Sequence, residues 1–101
     1  MSDVNYDKVP VDYMRDGVRM YIEEGFMSGH FLTALFSNDL VGVYSRGDKD
    51  NTEAMKKWVT FLFNYAPASC WGSKQRVEDW ISGAGITGRY KNKELSNDWK
   101  D

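Results

Sequence analysis

Apolar positions at helical spacing divide the chain into short amphipathic segments. In "VDYMRDGVRMYIEEG" apolar residues recur every four positions, at Met14, Val18 and Ile22. Gly25 follows the last of them and fits a left-handed helix cap. The pattern predicts a first helix over residues 11–24.

The next segment, "HFLTALFSNDL", is apolar on nearly all sides, which is typical of a buried helix at the centre of a core. The polar residues of "SND" compete with the backbone for hydrogen bonds, so they end this helix or cap the following turn. That following piece, "LVGVYSRG", is ambiguous between a helical turn and a short strand. Because a lone strand has no partner in this sequence, we favour the helix or turn.

The clearest periodicity lies in "DKDNTEAMKKWVTFLFNYAP" and predicts a helix over residues 51–65. Asp50 and Glu53 resemble a capping box at its start, and the "AP" dipeptide ends it. After a connector, Ser73 is placed to cap a further helix, "KQRVEDWIS", which Gly83 stops.

These elements predict an all-α protein, a compact bundle of four to five short helices with a flexible C-terminal tail. The chain has 101 residues, which is enough for one hydrophobic core and too short for two. We expect a flexible polar N-terminus at 1–9, a single helical domain at 10–83, and a mobile polar tail at 84–101.

Composition agrees with a folded domain and excludes several classes of partner. Apolar residues make up 42% of the chain and aromatic residues 15%, so burial of these side chains can offset the conformational entropy lost on folding. A formal net charge of −2 gives no overall attraction to nucleic acid, which is therefore not expected as a partner. The start, "MSDVNYDKVPVD", does not resemble a signal peptide, and no apolar stretch approaches the length of a membrane span. We predict a cytoplasmic protein that does not bind membranes.

The chain has one cysteine, Cys70, and one histidine, His30. An intramolecular disulfide and a zinc site built on several cysteines are thereby excluded. A cysteine beside a tryptophan is usually a small packed residue, so we do not expect Cys70 to be a nucleophile. An enzyme that uses Cys70 is kept as an alternative.

Three carboxylates at Asp48, Asp50 and Glu53, with Asn51, faintly resemble an oxygen-ligand site for a divalent cation. They lack the spacing of a calcium-binding hand, and helix capping explains them better. We expect no catalytic residue, no metal and no cofactor.

Basic and flat aromatic side chains are dispersed along the sequence. Guanidinium groups bind phosphate through paired hydrogen bonds, and aromatic faces stack on nucleobases with little selectivity. A helix that begins after Ser73 would add backbone N–H groups that favour an anion. Together these residue types indicate a nucleotide-like ligand, although arginines also commonly solvate helices and tyrosines commonly fill core margins. The set comprises Arg15, Arg19, Arg46, Lys74, Arg76, Tyr21, Tyr44, Tyr65 and Trp71.

Several stretches resemble one protein family. "MRDGVRMYIEEG", "FLTALFSNDL" and "FLFNYAPASCWGS" followed by "VEDW" are similar to short, mostly phage- and prophage-encoded proteins that share an "FLTA…SNDL" core helix and a "YN-AP--CWGS" turn. The resemblance covers about residues 10–83. The recurring residues of the family fall on Arg19, Tyr21, Gly25, Phe31, Leu32, Asn38, Asp39, Leu40, Asn64, Pro67, Cys70, Trp71, Gly72, Ser73 and Trp80.

The resemblance implies that Cys70 and Trp71 belong to a signature turn packed between the third and fourth main helices. The sequence departs from the family after Asp39, where "LVGVYSRGD" replaces a more polar helical segment. This departure predicts exposed apolar surface that serves self-association.

The resemblance further implies a phage context without a catalytic mechanism. Our first hypothesis is a homo-oligomeric phage accessory protein that counters host defence by sequestering a nucleotide-derived immune signal without cleaving it. The expected ligand-binding residues are Arg19, Arg46 and Arg76 for phosphate, Tyr65 and Trp71 for stacking, and Asn38, Asp39 and Ser73 for base or ribose.

Two further alternatives belong to other functional classes. One is a protein-binding inhibitor of a host defence effector, such as a CRISPR complex, which would use exposed Val41, Val43 and Tyr44 together with the aromatic residues of the tail. The other is a small DNA-binding regulator, against which the acidic balance and the lack of a basic recognition helix weigh.

Overall fold

The computed structural model describes residues 4–89, which form helices and no strand, so the predicted all-α fold is confirmed for this range. Residues 1–3 and 90–101, which include most of the predicted tail, lie outside it. The α-helices are α1 (Arg15–Glu24), α2 (His30–Phe36), α3 (Leu40–Arg46), α4 (Lys49–Glu53), α5 (Met55–Asn64) and α6 (Lys74–Ser82). Short 3-10 turns occupy Tyr6–Lys8, Asp12–Met14 and Ala68–Cys70, and residues 85–89 are again helical.

α2 lies at the centre of the core, as its apolar pattern predicts. Five of its seven residues are buried: Phe31, Leu32, Ala34, Leu35 and Phe36. The ring centroids of Phe36 and Tyr21 lie 4.7 Å apart, and those of Phe31 and Trp58 lie 5.8 Å apart. These aromatic contacts pack α2 against both α1 and α5.

α1 begins later than predicted and ends where predicted. Residues Asp12–Met14 form a 3-10 turn, and the α-helix starts at Arg15. At the other end Gly25 has φ 73°, and its N–H donates to carbonyls of the last turn. The predicted left-handed glycine cap is confirmed.

The ambiguous segment after α2 is a helix. Asp39 caps α3, because its Oδ1 accepts a 3.0 Å hydrogen bond from the N–H of Gly42. Val43 is buried, which corrects its assignment to an exposed interface. The expected apolar surface is nevertheless present, since Leu40, Val41 and Tyr44 are each about three quarters exposed.

The helix predicted over residues 51–65 is two helices separated at Ala54. The predicted capping box at Asp50 and Glu53 is wrong, because the chain enters α4 two residues earlier. Asp48 is the cap, and its Oδ1 accepts a 2.9 Å hydrogen bond from the N–H of Asn51. Asp50 therefore lies inside the first turn of the helix.

The ordered fold extends beyond both predicted boundaries. In the expected flexible N-terminus Tyr6–Lys8 form a 3-10 turn, and Val9 is buried. In the expected tail residues 85–89 are helical and Gly85 is buried. The guanidinium carbon of Arg89 lies 3.9 Å from the ring centroid of Trp80, a cation–π contact that holds this last stretch on α6.

No helix within residues 4–89 is both long enough and apolar enough to cross a membrane.

Candidate functional site

A groove of about 640 Å³ runs between α2 and α3 and reaches the start of α6. We call it the α2–α3 groove. Its polar and charged lining consists of His30, Thr33, Ser37, Asn38, Asp39, Ser45, Arg46 and Lys74.

The turn between α2 and α3 shapes the groove. Asn38 has φ 61°, a left-handed conformation that asparagine tolerates better than most residues. The chain reverses there, and α3 packs closely against α2. A Cβ at Gly42 would collide with the Asp39 carboxylate that caps α3 and would lie 3.0 Å from the Cβ of Ala34, so glycine permits both the cap and the close approach of the two helices.

The start of α6 is held at the end of α2 by one backbone hydrogen bond. The N–H of Gly72 donates to the carbonyl of Phe36 over 2.8 Å. Lys74, the first residue of α6, consequently lines the groove, and Ser73 precedes it in the chain. The Ser73 Oγ accepts a 3.1 Å hydrogen bond from the N–H of Arg76, which confirms the predicted helix cap.

The groove presents two strong cations and one carboxylate. Arg46 is exposed and has no carboxylate within 4 Å among residues 4–89. Lys74 is also exposed, and its Nζ lies 4.0 Å from the Glu78 carboxylate, at the limit of an ion pair. Asp39 is occupied in part by capping α3. Such a lining can hold an anionic ligand through Arg46 and Lys74 and form hydrogen bonds to its hydroxyl groups.

The structure brings only some of the predicted ligand-binding residues together. Asn38, Asp39 and Arg46 line the groove, and Ser73 adjoins it. Arg19 lies elsewhere, on the exposed side of α1, where its guanidinium is 3.8 Å from the Asp16 carboxylate.

Arg76 and Trp71 do not line the α2–α3 groove. The Arg76 Nη1 donates to the backbone carbonyls of Ala68 and Trp71 at 3.4 and 3.3 Å. It borders a separate hollow of about 430 Å³ together with Arg89. Trp71 is half-buried against the core, and its Nε1 has no hydrogen-bond partner among the described residues. Its ring therefore serves packing at this position.

Tyr65 lies in a third place, between the N-terminal 3-10 turns and α5. Its ring stacks on that of Phe61 with centroids 6.3 Å apart, and the Lys8 Nζ lies 5.8 Å from the Tyr65 centroid. The surrounding cavity of about 450 Å³, which we call the Tyr65 hollow, is lined by Asp7, Lys8, Val9, Pro10, Asp12, Arg15, Lys57, Thr60, Phe61 and Tyr65.

Cys70 has a packing role. Its side chain is completely buried, and burial raises the pKa of the thiol to about 12. At neutral pH almost no thiolate, the nucleophilic form, is present. His30 lies on the exposed lining of the α2–α3 groove. The geometry gives no support to a nucleophilic Cys70.

The acidic loop before α4 is organised by hydrogen bonds. The Tyr13 hydroxyl donates to Asp48 over 2.5 Å and, at 3.4 Å, approaches Asp50. The bond to Asp48 raises the pKa of Tyr13 to about 12 and lowers the pKa of Asp48. Asn51, considered as a metal ligand from the sequence, is buried and accepts a 3.1 Å hydrogen bond from the Trp58 indole. Within residues 4–89 no three His, Cys, Asp or Glu side chains are grouped to hold a metal ion.

Sequence reasoning missed the polar stripe that α2 contributes to the groove. His30, Thr33 and Ser37 are spaced three and four residues apart, so they lie on one side of an otherwise apolar helix. This spacing in the sequence could have predicted a polar face on α2.

Searches against protein-family models, curated proteins and solved structures find no significant match to this chain. The resemblance to the phage-encoded family therefore stays a prediction.

Proposed function

We propose that this protein is a phage accessory protein that sequesters a nucleotide-derived immune signal in the α2–α3 groove without cleaving it. The observation that carries the proposal is the groove itself. At about 640 Å³ it lies within the range of about 300–1,000 Å³ that is usual for small-molecule sites. Arg46, Lys74 and Asn38 contribute side chains suited to phosphate and sugar to one lining.

The lining supports recognition of phosphate and ribose more than of a base. Arg46 can hold phosphate through its planar fork, and Lys74 can add a mobile point charge. Asn38 and Ser37 can bond the hydroxyl groups of a ribose. No Phe, Tyr or Trp belongs to the groove lining, so a base bound there could stack only on the small imidazole ring of His30.

Sequestration is favoured over cleavage by the titratable groups of the groove. Cleavage of a phosphodiester by the side chains alone would need an acid and a base placed together. Asp39 already accepts the N–H of Gly42, and within residues 4–89 no hydrogen bond or ion pair joins it to His30, the other candidate acid or base of the lining.

The biological setting of the proposal comes from the resemblance to phage-encoded proteins. A signal-sequestering protein of this kind would act in the cytoplasm of the host cell. The exposed Leu40, Val41 and Tyr44 on α3 support self-association into a homo-oligomer.

Native mass spectrometry tests the ligand class directly. The purified protein is incubated with cyclic dinucleotides, cyclic trinucleotides and ADP-ribose derivatives, and a retained nucleotide mass on the intact protein is the expected result. Arg46→Gln should weaken retention at least about tenfold, because it removes a charge-assisted contact. Arg19→Gln is the matched control and should retain the ligand. An unliganded spectrum across the whole panel would reject the proposal.

A second candidate function is a protein-binding inhibitor of a host defence effector, and the apolar face of α3 favours it. Leu40, Val41 and Tyr44 are exposed on a seven-residue helix, a concentration that often marks an interaction site. Under this candidate Tyr44→Asp would abolish protection of the phage in a plaque assay, and Arg46→Gln would retain it. Phe63→Asp, at an exposed position of α5, controls for a general effect of surface charge. The opposite pattern, loss with Arg46→Gln alone, would support the nucleotide ligand.

A further inference from the structure

The Tyr65 hollow is separate from the α2–α3 groove. It lies between the segment before α1 and one side of α5, and the two linings share no residue. On α5 it is lined by Lys57, Thr60 and Phe61, which share a face because they are spaced three and four residues apart. Its volume of about 450 Å³ is large enough for one small ligand.

Basic side chains outnumber acidic ones around this hollow. Arg15 is already engaged, since its Nη2 lies 3.1 Å from the Asp12 carboxylate and its Nε donates to the carbonyl of Tyr6. Lys8 and Lys57 have no carboxylate within 4 Å in the described part of the chain. Two lysines are thus available to an anion, with Asp7 as the remaining acidic group of the lining.

The Tyr65 hollow also has large aromatic rings, Tyr65 and Phe61, whereas the only ring in the lining of the α2–α3 groove is the imidazole of His30. Tyr65 stacks on Phe61, and the exposed Lys8 lies over the Tyr65 ring at 5.8 Å, the outer limit of a cation–π contact. A contact at this distance is weak, and a long surface lysine moves easily. A flat ring can displace Lys8 from Tyr65, and the lysine can then bind an anionic group on the same ligand.

We propose that the Tyr65 hollow is a second ligand site, which takes a flat aromatic ring carrying a phosphate group, as in a nucleoside monophosphate. Tyr65 stacks on the base, which requires no particular base identity. Lys8 and Lys57 neutralise the phosphate as point charges. The site goes beyond the function proposed above, which concerns the groove alone.

Isothermal titration calorimetry with three probes tests the two contacts separately, the stacking of the ring and the binding of the phosphate. AMP supplies ring and phosphate, adenosine the ring without the charge, and inorganic phosphate the charge without the ring. AMP should bind at least about tenfold more tightly than either fragment, because each fragment lacks one of the two contacts. Backbone amide shifts in NMR spectra should move at Thr60 and Phe61 when AMP is added.

Matched variants assign the binding to this hollow. Lys57→Gln and Tyr65→Leu should each weaken AMP binding about tenfold, and Lys57→Gln alters only an exposed side chain, so it leaves folding intact. Lys56→Gln changes the neighbouring exposed lysine, which is outside the lining, and should leave AMP binding unchanged.

Equal AMP affinity in the unmodified protein and in Lys57→Gln, or no AMP binding at all, would overturn this second site. Loss of AMP binding with Arg46→Gln alone would place the nucleotide in the α2–α3 groove. That outcome would overturn the second site and support the function proposed for the groove.

Discussion

The Tyr21 hydroxyl donates a 2.6 Å hydrogen bond to the backbone carbonyl of Cys70, 49 residues further along the chain. Both side chains are completely buried. From α6 the Trp80 Nε1 donates in turn to the carbonyls of Tyr21 and Ile22, each at 3.1 Å. The turn "NYAPASCWGS" and the helix after it are therefore fixed to the last turn of α1, which explains why a thiol and large aromatics meet there.

Tyr21→Phe should lower the free energy of unfolding by about 1–3 kcal/mol, because the buried carbonyl of Cys70 loses its side-chain donor. Urea unfolding followed by tryptophan fluorescence measures the change. Tyr44→Phe removes the hydroxyl of an exposed tyrosine and should change stability by less than about 0.5 kcal/mol. An equal urea midpoint for Tyr21→Phe and the unmodified protein would contradict the role assigned to this hydrogen bond.

Asn51→Ala should also destabilise the protein by about 1–3 kcal/mol, since the buried indole N–H of Trp58 would lose its partner. A double-mutant cycle isolates the effect. In a Trp58→Phe background the indole N–H is absent, so the further change Asn51→Ala should cost much less. Equal costs in the two backgrounds would show that the hydrogen bond does not couple α4 to α5.

Asn51 illustrates where prediction from the sequence ends. Because Asn51 follows acidic residues, its position in the sequence is typical of a solvent-exposed helix N-terminus. Nothing in the neighbouring residues indicates the buried hydrogen bond to Trp58 across the break at Ala54. The periodic apolar positions, the Gly25 cap and the Ser73 cap were predictable because each depends on neighbours within about one helical turn.

The candidate site was predictable only in part for the same reason. Asn38, Asp39 and Arg46 meet because one turn and one short helix connect them. Where Tyr65 and Trp71 lie relative to them depends on how distant helices pack, which local spacing does not encode. The sequence therefore indicated suitable residue types without showing which of them share a cavity.

Gly85→Ala should destabilise the protein more than Gly29→Ala. Both glycines have positive φ, 66° and 87° respectively, and Gly29 has ψ 148°, so alanine costs about 1–3 kcal/mol in backbone strain at these positions. A Cβ at Gly85 would additionally lie 2.6 Å from backbone atoms of Glu23 and Gly25, whereas at Gly29 nothing lies within 4 Å. A lower urea midpoint for Gly85→Ala than for Gly29→Ala would report this close backbone contact of residue 85 with the end of α1. Equal midpoints would contradict the close backbone contact of Gly85 with Glu23 and Gly25.

The protein should lose stability as the pH rises above 9, and Cys70 should account for the first part of that loss. Burial raises the pKa of its thiol from 9.0 to about 12, so the folded state keeps a proton that the unfolded state releases. The stabilisation is complete below about pH 9 and is lost as the pH rises towards about 12. Tyr13, with a pKa raised from 10.0 to about 12, adds to the loss mainly above pH 10.

Between pH 9 and 10 the free energy of unfolding should therefore fall by about 1 kcal/mol through Cys70. Cys70→Ala should be less stable at neutral pH because of lost packing, yet it should show a smaller fall over the same interval. Urea titrations at pH 8, 9 and 10 measure both slopes, and the lysines and tyrosines cancel because the two chains share them. Identical slopes would show that the thiol ionises as readily in the folded protein as in the unfolded chain, which would contradict its burial beneath the turn.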